Sequence, residues 1–396
     1  MAVTASARRT FLTGSSLTAF LTFTHTTNDS FTSMLAALLP TLQSRFALTE
    51  TVLALLVAVL AFSSSVTQPF FGAVADRLGR RLVGSLGVIM SSCLLSLMGV
   101  APTVWLLFGL LLVGGLGSAA FHPSGTSMVR TAGGEKNKSL TVAIFSGGGT
   151  LGLALGPVVT LFIVANYGLE FTPWLMLPGL VLGVMMYLIV PPQERAAKDK
   201  RPKLFDPGLF VGPVGILCLS GILRSMSWVT FTAAMPLWLV SSYGIARDAP
   251  LIGWTLAAFS IGAGIGGILS GMFGWRLGRQ FLITGTMLLA MPAVFLLFLL
   301  PPGSSLYFAA VFVAGALVNG GLPLMIVSAQ DLAPHAMATA SGMLMGFTWG
   351  TAGVLYIGIG RLQESIGLTG AMSLSYLMMI PGAALAFYVL KKYRLN

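Results

Sequence analysis

The chain has 396 residues, of which 56% are hydrophobic and only 8% charged, with a formal net charge of +11. A soluble domain carries about a quarter charged residues, so a water-exposed globule of this size is excluded and a chain that crosses a membrane many times is implied. The 48 glycines and 20 prolines, breakers in a soluble helix, are tolerated in membrane helices and favoured where helices touch.

A helix that spans a bilayer needs about 20 predominantly apolar residues. Twelve such segments are predicted, at 14–42, 50–75, 82–101, 104–131, 139–166, 171–191, 208–242, 250–275, 281–300, 304–330, 337–362 and 368–390. Ahead of the first lies "ARRTFLTG", which superficially resembles a twin-arginine export signal. No small-residue cleavage site follows it, so Arg8 and Arg9 read instead as holding the first helix on the inner side. The first segment is interrupted by "HTTND", which sets His25, Asn28 and Asp29 inside an apolar helix. The second carries Gln68 and ends in "GAVADRLGRR". The fourth places His122 before Pro123 and runs out at Arg130, and the fifth contains Gly152-x-x-x-Gly156-Pro157, a spacing that brings two helix backbones close. The connector "PPQERAAKDKRPKLFDP" follows the sixth. The seventh holds Arg224 with Trp228 one turn on, the tenth Asn319 and Gln330, and the eleventh Trp349.

Lysine and arginine set the sides. The N-terminus, the loops after even-numbered segments and the C-terminus hold 18 of the 22 basic residues, and the opposite loops hold only Arg45, Arg247 and Arg361. Both termini are therefore expected in the cytoplasm, and the positive charge is topological, with no nucleic-acid partner. Cys93 and Cys218 fall in apolar runs and read as packing residues; the 20 methionines are scattered and read as flexible core.

The chain repeats itself. "GAVADRLGRR" (72–81) matches "GMFGWRLGRQ" (271–280) at an offset of 199, "GLGSAAFHP" (115–123) matches "GALVNGGLP" (315–323) at 200, and "GTLG" (149–152) matches "GTAG" (350–353) at 201. The expected fold is an all-α membrane protein of twelve helices in two pseudo-symmetric six-helix bundles, 1–192 and 208–396, joined by a cytoplasmic linker at 193–207.

One basic residue, Arg224, and one of the eleven acids, Asp29, remain in the membrane core. An offset of 199 puts Arg224 opposite His25, and Asp29 is one turn beyond His25. A charge at mid-bilayer is costly and must face a partner, a substrate or water. Two readings stand. Asp29 and Arg224 pin the halves together as an ion pair, or Asp29 carries a proton while Arg224 holds an anionic part of a substrate. In the second, substrate drawing Arg224 away would favour protonation of Asp29, so proton and substrate would compete. His25 is either a second proton carrier or a neutral partner that orients Asp29. Asn28, His122, Gln68, Trp228, Asn319 and Trp349 are candidate lining residues of the substrate site; interhelical hydrogen bonding or aromatic packing is the plainer role for Gln68, Asn319, Trp228 and Trp349, and for His122 a hydrogen-bonded packing role stands equally.

"GAVADRLGRR", with twelve segments in two repeats, resembles the signature loop of the major facilitator superfamily. "THTTNDSFTSMLAALLPTLQ", "SSSVTQPFFGAVADR", "GLGSAAFHPSG", "FSGGGTLGLALGP", "ILRSMSW" and "AQDLAPHAMATASGMLMGFTWGTAGV" resemble its fosmidomycin resistance branch. Members are proton-driven exporters of small, often anionic drugs. Two departures stand out: Ser124 follows Pro123 where members carry an acid, and "LFGLLLVGG" (107–115) lacks the basic residue many drug antiporters place there. The resemblance implies a cytoplasmic gate. In it Asp76 faces the N-terminus of a helix of the other half near residues 336–339, while Arg77, Arg80, Arg81 and Arg130 pair with acids or anionic lipid.

No phosphate-binding loop, no His-Glu-x-x-His or Cys-x-x-Cys site and no Ser-His-Asp set is present in the sequence. Neither an enzyme nor a cofactor or metal requirement is expected. The expectation is a monomeric secondary transporter of the bacterial inner membrane that exports a small molecule against protons. An importer or facilitator of an organic anion on the same fold is the alternative.

Overall fold

The computed structural model describes residues 12–192, 208–334 and 337–395. The expected linker at 193–207 lies outside them, as do Arg8, Arg9 and His335. Among the described residues every regular element is helical. The helices are α1 (Gly14–Phe46), α2 (Glu50–Ala61), α3 (Gln68–Leu78), α4 (Arg80–Ser96), α5 (Val104–Ala132), α6 (Gly134–Tyr167), α7 (Met176–Ile189) and α8 (Gly208–Val211). They continue with α9 (Pro213–Tyr243), α10 (Pro250–Leu277), α11 (Arg279–Leu296), α12 (Ser305–Gly320), α13 (Leu322–Leu332), α14 (Met337–Gly342), α15 (Thr348–Leu377) and α16 (Met379–Lys392). Wider π-turns join α2 to α3 (Phe62–Val66) and α14 to α15 (Met343–Phe347).

Local chemistry sets the ends. α1 stops where Ala47 turns left-handed, at φ 50°, and returns its N–H to the Gln43 carbonyl. Thr49 then opens α2 by accepting from the Val52 N–H. Two expected spans are broken. Segment 208–242 divides at Gly212, because Pro213 needs no donor at the first turn of a new helix. Segment 304–330 divides at Gly321, with Pro323 starting the second piece.

Nine segments among the described residues are long and apolar enough to cross a membrane, or ten if the pair Glu50–Val66 and Gln68–Leu78, bent by 42°, is one span. α1 is not among them. Its "HTTND" interruption and flanking threonines dilute its apolar content, so a helix of 33 residues falls short on composition rather than length.

The internal repeat is visible in the backbone. Gly79 ends α3 at φ 106° and Gly278, 199 residues on, ends α10 at φ 82°. A second pair at the same offset is Gly168, after α6, and Gly367, inside α15: their φ are 98° and 77°, and both have ψ 164°. Side chains rarely adopt such angles. Gly367 breaks α15 into two helices, which accounts for the separate expected spans 337–362 and 368–390.

Helices α1 to α7 pack on one another, chiefly α1 on α6 and α4 on α5 and α7. Helices α9 to α16 do likewise, chiefly α10 on α12 and α9 on α15 and α16. The groups meet along α2 with α15, α6 with α10 and α1 with α9. Glycines make the seam: Gly360 lies against Ala54, Gly353 against Ala61, Gly350 against Val66, and Gly253 against Pro157 and Val158. The two π-turns face each other midway along it. Past that point α3 turns away from the seam and packs on its own group, with Gly72 against Pro123.

Candidate functional site

Asp29 lies at a crossing of three helices. On α1, His25, Asn28 and Asp29 share a face by helical spacing; α5 adds Ser118 and His122, and α4 adds Ser91. His25 Nε2 lies 3.2 Å from Asp29 Oδ2, and His122 Nε2 lies 3.1 Å from Asp29 Oδ1. One carboxylate thus meets two imidazoles, each at its own oxygen.

Each imidazole is tied down at its far nitrogen. His25 Nδ1 is 2.7 Å from the Phe145 carbonyl oxygen, and His122 Nδ1 is 2.8 Å from that of Ser118. A carbonyl can only accept, so Nδ1 carries the proton in both rings and Nε2 faces the carboxylate. The His25 ring also stacks on Phe145, with centroids 4.1 Å apart, and meets His122 edge-on at 5.0 Å.

Asn28 fixes the carboxylate. Its Nδ2 donates to Asp29 Oδ1 and to Ser118 Oγ, both at 3.0 Å, while its Oδ1 accepts from Ser91 Oγ at 2.7 Å. Fully buried, with both donors in use, Asn28 ties Asp29 to α4 and α5.

Helix α6 closes the back. A Cβ at position 149 would sit 2.5 Å from His25 Cε1 and 2.8 Å from Asp29 Oδ2, and one at 152 would run into the Thr26 carbonyl. Gly156 is likewise seated on Ser30 and Ser33. The Gly152-x-x-x-Gly156 spacing therefore does bring two backbones together, and it does so at the acid.

Arg224 sits in the other group of helices. It is fully buried, and its Nη1 donates to Asn319 Oδ1 at 2.7 Å and to the Val318 carbonyl at 3.3 Å, its Nη2 to Ser225 Oγ at 3.2 Å. Among the described residues no acid pairs with it, and its Nε has no partner. The ion pair between Asp29 and Arg224 is absent, because each has found partners within its own group. The idea that substrate frees Asp29 by drawing Arg224 away loses its premise. Trp228 and Trp349 lie 5.0 Å apart, and the buried Trp349 Nε1 also has no partner. Gln68 donates to the Ser64 carbonyl beside the π-turn of α2, and Gln330 to Ser341.

At the end with the signature loop, Asp76 pairs with Arg80 one turn on, at 2.9 Å; residue 336, where its expected partner helix begins, lies outside the described residues. Its helix α3 packs on α4 and α5, away from the other group. The repeat equivalent of Arg80 is Arg279. Position 275 holds Trp where the first copy has Asp76, and Arg279 pairs instead with Asp331 of α13. Arg81 donates to the Val190 carbonyl and lies over the Tyr187 ring, while Arg77 and Arg130 are exposed.

Sequence spacing gave no sign that His122 reaches Asp29, since 93 positions separate them. The three groups lie within 4.8 Å of one another, a spacing a divalent cation could bridge. Each imidazole, however, addresses a different carboxylate oxygen, the pattern of two proton-sharing contacts.

Comparison with known proteins agrees with this architecture. A sequence profile of the Major Facilitator Superfamily matches residues 18–357. The fosmidomycin resistance protein of Escherichia coli (strain K12) is 27% identical over 347 residues, covering 84% of this chain and 83% of its own. The gentisate transporter of Corynebacterium glutamicum is 24% identical over 307 residues, covering 72% and 67%. The crystal structure of a bacterial homologue of the human lysosomal transporter Spinster superposes with a TM-score of 0.74 at 16% identity, covering 94% of this chain and 96% of that one.

Proposed function

Since the chain belongs to the Major Facilitator Superfamily, whose members here are transporters of small molecules, we propose that it is a proton-coupled exporter. It moves a small polar or anionic organic molecule across the bacterial inner membrane by rocking two six-helix halves about a central site. The observation that carries the proposal is the cluster of His25, Asp29 and His122, ionisable groups gathered where α1 crosses α4, α5 and α6. Nothing in packing alone requires three such groups on one another inside a membrane helix bundle.

The count of twelve crossings follows if α1 and the bent pair α2–α3 each count as one and α15 divides at Gly367. The halves then are 1–192 and 208–396, with the termini and most basic residues on the cytoplasmic side. Contacts across the seam gather at the end that holds Glu50 and Gly360 and give way towards Arg77 and Arg276. On this topology the conformation opens inward. Asp76 with Arg80 and Arg279 with Asp331 are then the two inside-gate pairs, released from the opposite half. Arg77, Arg81 and Arg130 face headgroups or the gate partner in the other state.

His25, Asp29 and His122 carry the protons. Arg224, presented through Asn319 and flanked by Trp228 and Trp349, is the anchor for the substrate's anionic part, and two buried donors without partners support that role. The chain acts as a monomer in lipid, without a cofactor.

A second reading is uptake of an organic anion together with protons. One observation favours it: Asp29 has no link to Arg224, so protonating the cluster adds positive charge to the site without removing any. Cells expressing the chain, challenged with fosmidomycin, and everted vesicles with an imposed pH gradient separate the two. Export predicts resistance, and acid-driven accumulation in everted vesicles, both lost in Asp29→Asn. Flux that needs no proton gradient would refute the coupled reading altogether.

A further inference from the structure

We propose that His25, Asp29 and His122 form one unit that takes up two protons and no more, and that His122 is the member through which they enter and leave. The inference rests on the proton-coupled reading but not on the direction of transport.

The limit of two comes from counting lone pairs. With Nδ1–H of each ring given to a carbonyl, both Nε2 atoms present lone pairs to the carboxylate when the unit holds no added proton. Two nitrogen lone pairs then oppose two oxygens at 3.2 and 3.1 Å, and the unit carries a charge of −1. One added proton, on either Nε2 or the carboxylate, turns one contact attractive and brings the charge to zero. A second converts the other contact and gives +1. A third would have to sit on the carboxylate between two N–H groups, as an O–H competing with two imidazolium donors, and would raise the charge of a buried site to +2. The Asn28 amide, already donating to Oδ1, favours the carboxylate form, so the loaded state is two imidazolium rings on one anion.

The same bonds close the unit at both ends. A ring whose Nδ1–H is held by a helix carbonyl cannot hand a proton on through that nitrogen; the Ser118 hydroxyl, 3.4 Å from His122 Nδ1, accepts from Asn28 and so leads back into the unit. Exchange must pass on the Nε2 side. There the side-chain exposure is 23% for His122 against 11% for Asp29 and 8% for His25, which makes His122 the doorway and His25 the inner store. Among the described residues no other ionisable side chain touches the three: α4 presents Ser91, α5 Ser118 and Phe121, α6 Phe145 and Gly149, and Arg224 of α9 is bonded to Asn319, Val318 and Ser225. The count is therefore that of this unit alone.

The chain has only three histidines, so nitrogen NMR of the purified full-length protein, labelled with ¹⁵N at histidine, can follow each ring with pH. His25→Gln and His122→Gln supply the assignments, and infrared spectroscopy follows the Asp29 carboxyl. The expected result is two protons gained by the unit in two steps, with His122→Gln altering the His25 transition in the wild-type background and not in Asp29→Asn. A single titrating group would overturn the proposal. So would a protonated Asp29 carboxyl alongside two imidazolium rings, which is a third proton. If the rings stay neutral while transport still follows the pH gradient, the unit is refuted and coupling survives. If they load two protons and transport ignores the gradient, the coupled reading is what fails.

Discussion

Glu364 of α15 accepts a hydrogen bond at 2.8 Å from the Thr51 backbone N–H in the first turn of α2. One half thus caps a helix of the other, with a carboxylate on the positive end of the helix. This latch lies at the end where the two halves are in contact, opposite the end where Asp76 pairs with Arg80. Glu364→Gln keeps the shape and removes the charge, so it should raise the share of molecules whose halves are parted at this end. Spin labels in the loops 47–49 and 244–249, measured by pulsed electron resonance, would show a longer distance component growing in. An unchanged distribution would mean that the glycine seam alone holds the contact.

The seating of α6 on the acid is as specific. Gly149→Ala would drive a methyl into His25 and Asp29, and overpacking of this kind costs about 1–3 kcal/mol. Since α6 is held to α1 along its length, the strain should fall on the His25–Asp29 contact before it unfolds the bundle. The expected outcome is a protein that still inserts, with lowered melting temperature and lost pH-driven transport. Gly147→Ala is the control, because nothing lies within 4 Å of its Cβ direction.

Much of this was legible in the sequence, and the part that was not has physical reasons. The apolar runs announced an all-helical chain that crosses a membrane many times, and the "RLGR" repeat marked the equivalent turns at Gly79 and Gly278, since both are written in composition and local identity. The equivalence of Gly168 and Gly367 was not, because only a backbone angle marks it. Asp29 stood out as an acid in an apolar run. Its partner His122 did not, because which faces of α1 and α5 meet is decided by packing, in particular by how closely the glycines of α6 let α1 approach. The ion pair of Asp29 with Arg224 failed for a similar reason: each half offered nearer polar atoms, Asn28 and His122 to one and Asn319 to the other.

Arg224 tests the anchor. Its guanidinium reaches Asn319 and Val318 together, and a Lys ammonium cannot keep that fork. Hydrogen bonds to a charged group contribute about 1.5–3 kcal/mol, so Arg224→Ala should weaken binding of an organic anion about tenfold to a hundredfold. Arg224→Lys should recover only part of it. Protection against thermal unfolding by a panel of small organic anions reads the effect, and Asn319→Ala should reproduce a fraction of it. Equal protection of wild type and Arg224→Ala would make Arg224 a packing residue.

The sign of the pH effect on binding decides between export and uptake. Lowering the pH adds protons to the His25–Asp29–His122 unit and takes its charge from −1 through zero to +1. If protons and substrate compete, as export against protons requires, ligand affinity falls as the pH falls. An anion carried inward with protons gains from the added positive charge, so its affinity rises instead. Asp29→Asn removes the anion that the two rings share, and in either case the pH dependence should flatten. The expected outcome for this chain is weaker binding in acid, measured by calorimetry on the purified protein across the neutral range. Stronger binding in acid, flattened by Asp29→Asn, would keep the proton site and reverse the direction of transport. A slope that survives Asp29→Asn unchanged would place the coupling group elsewhere.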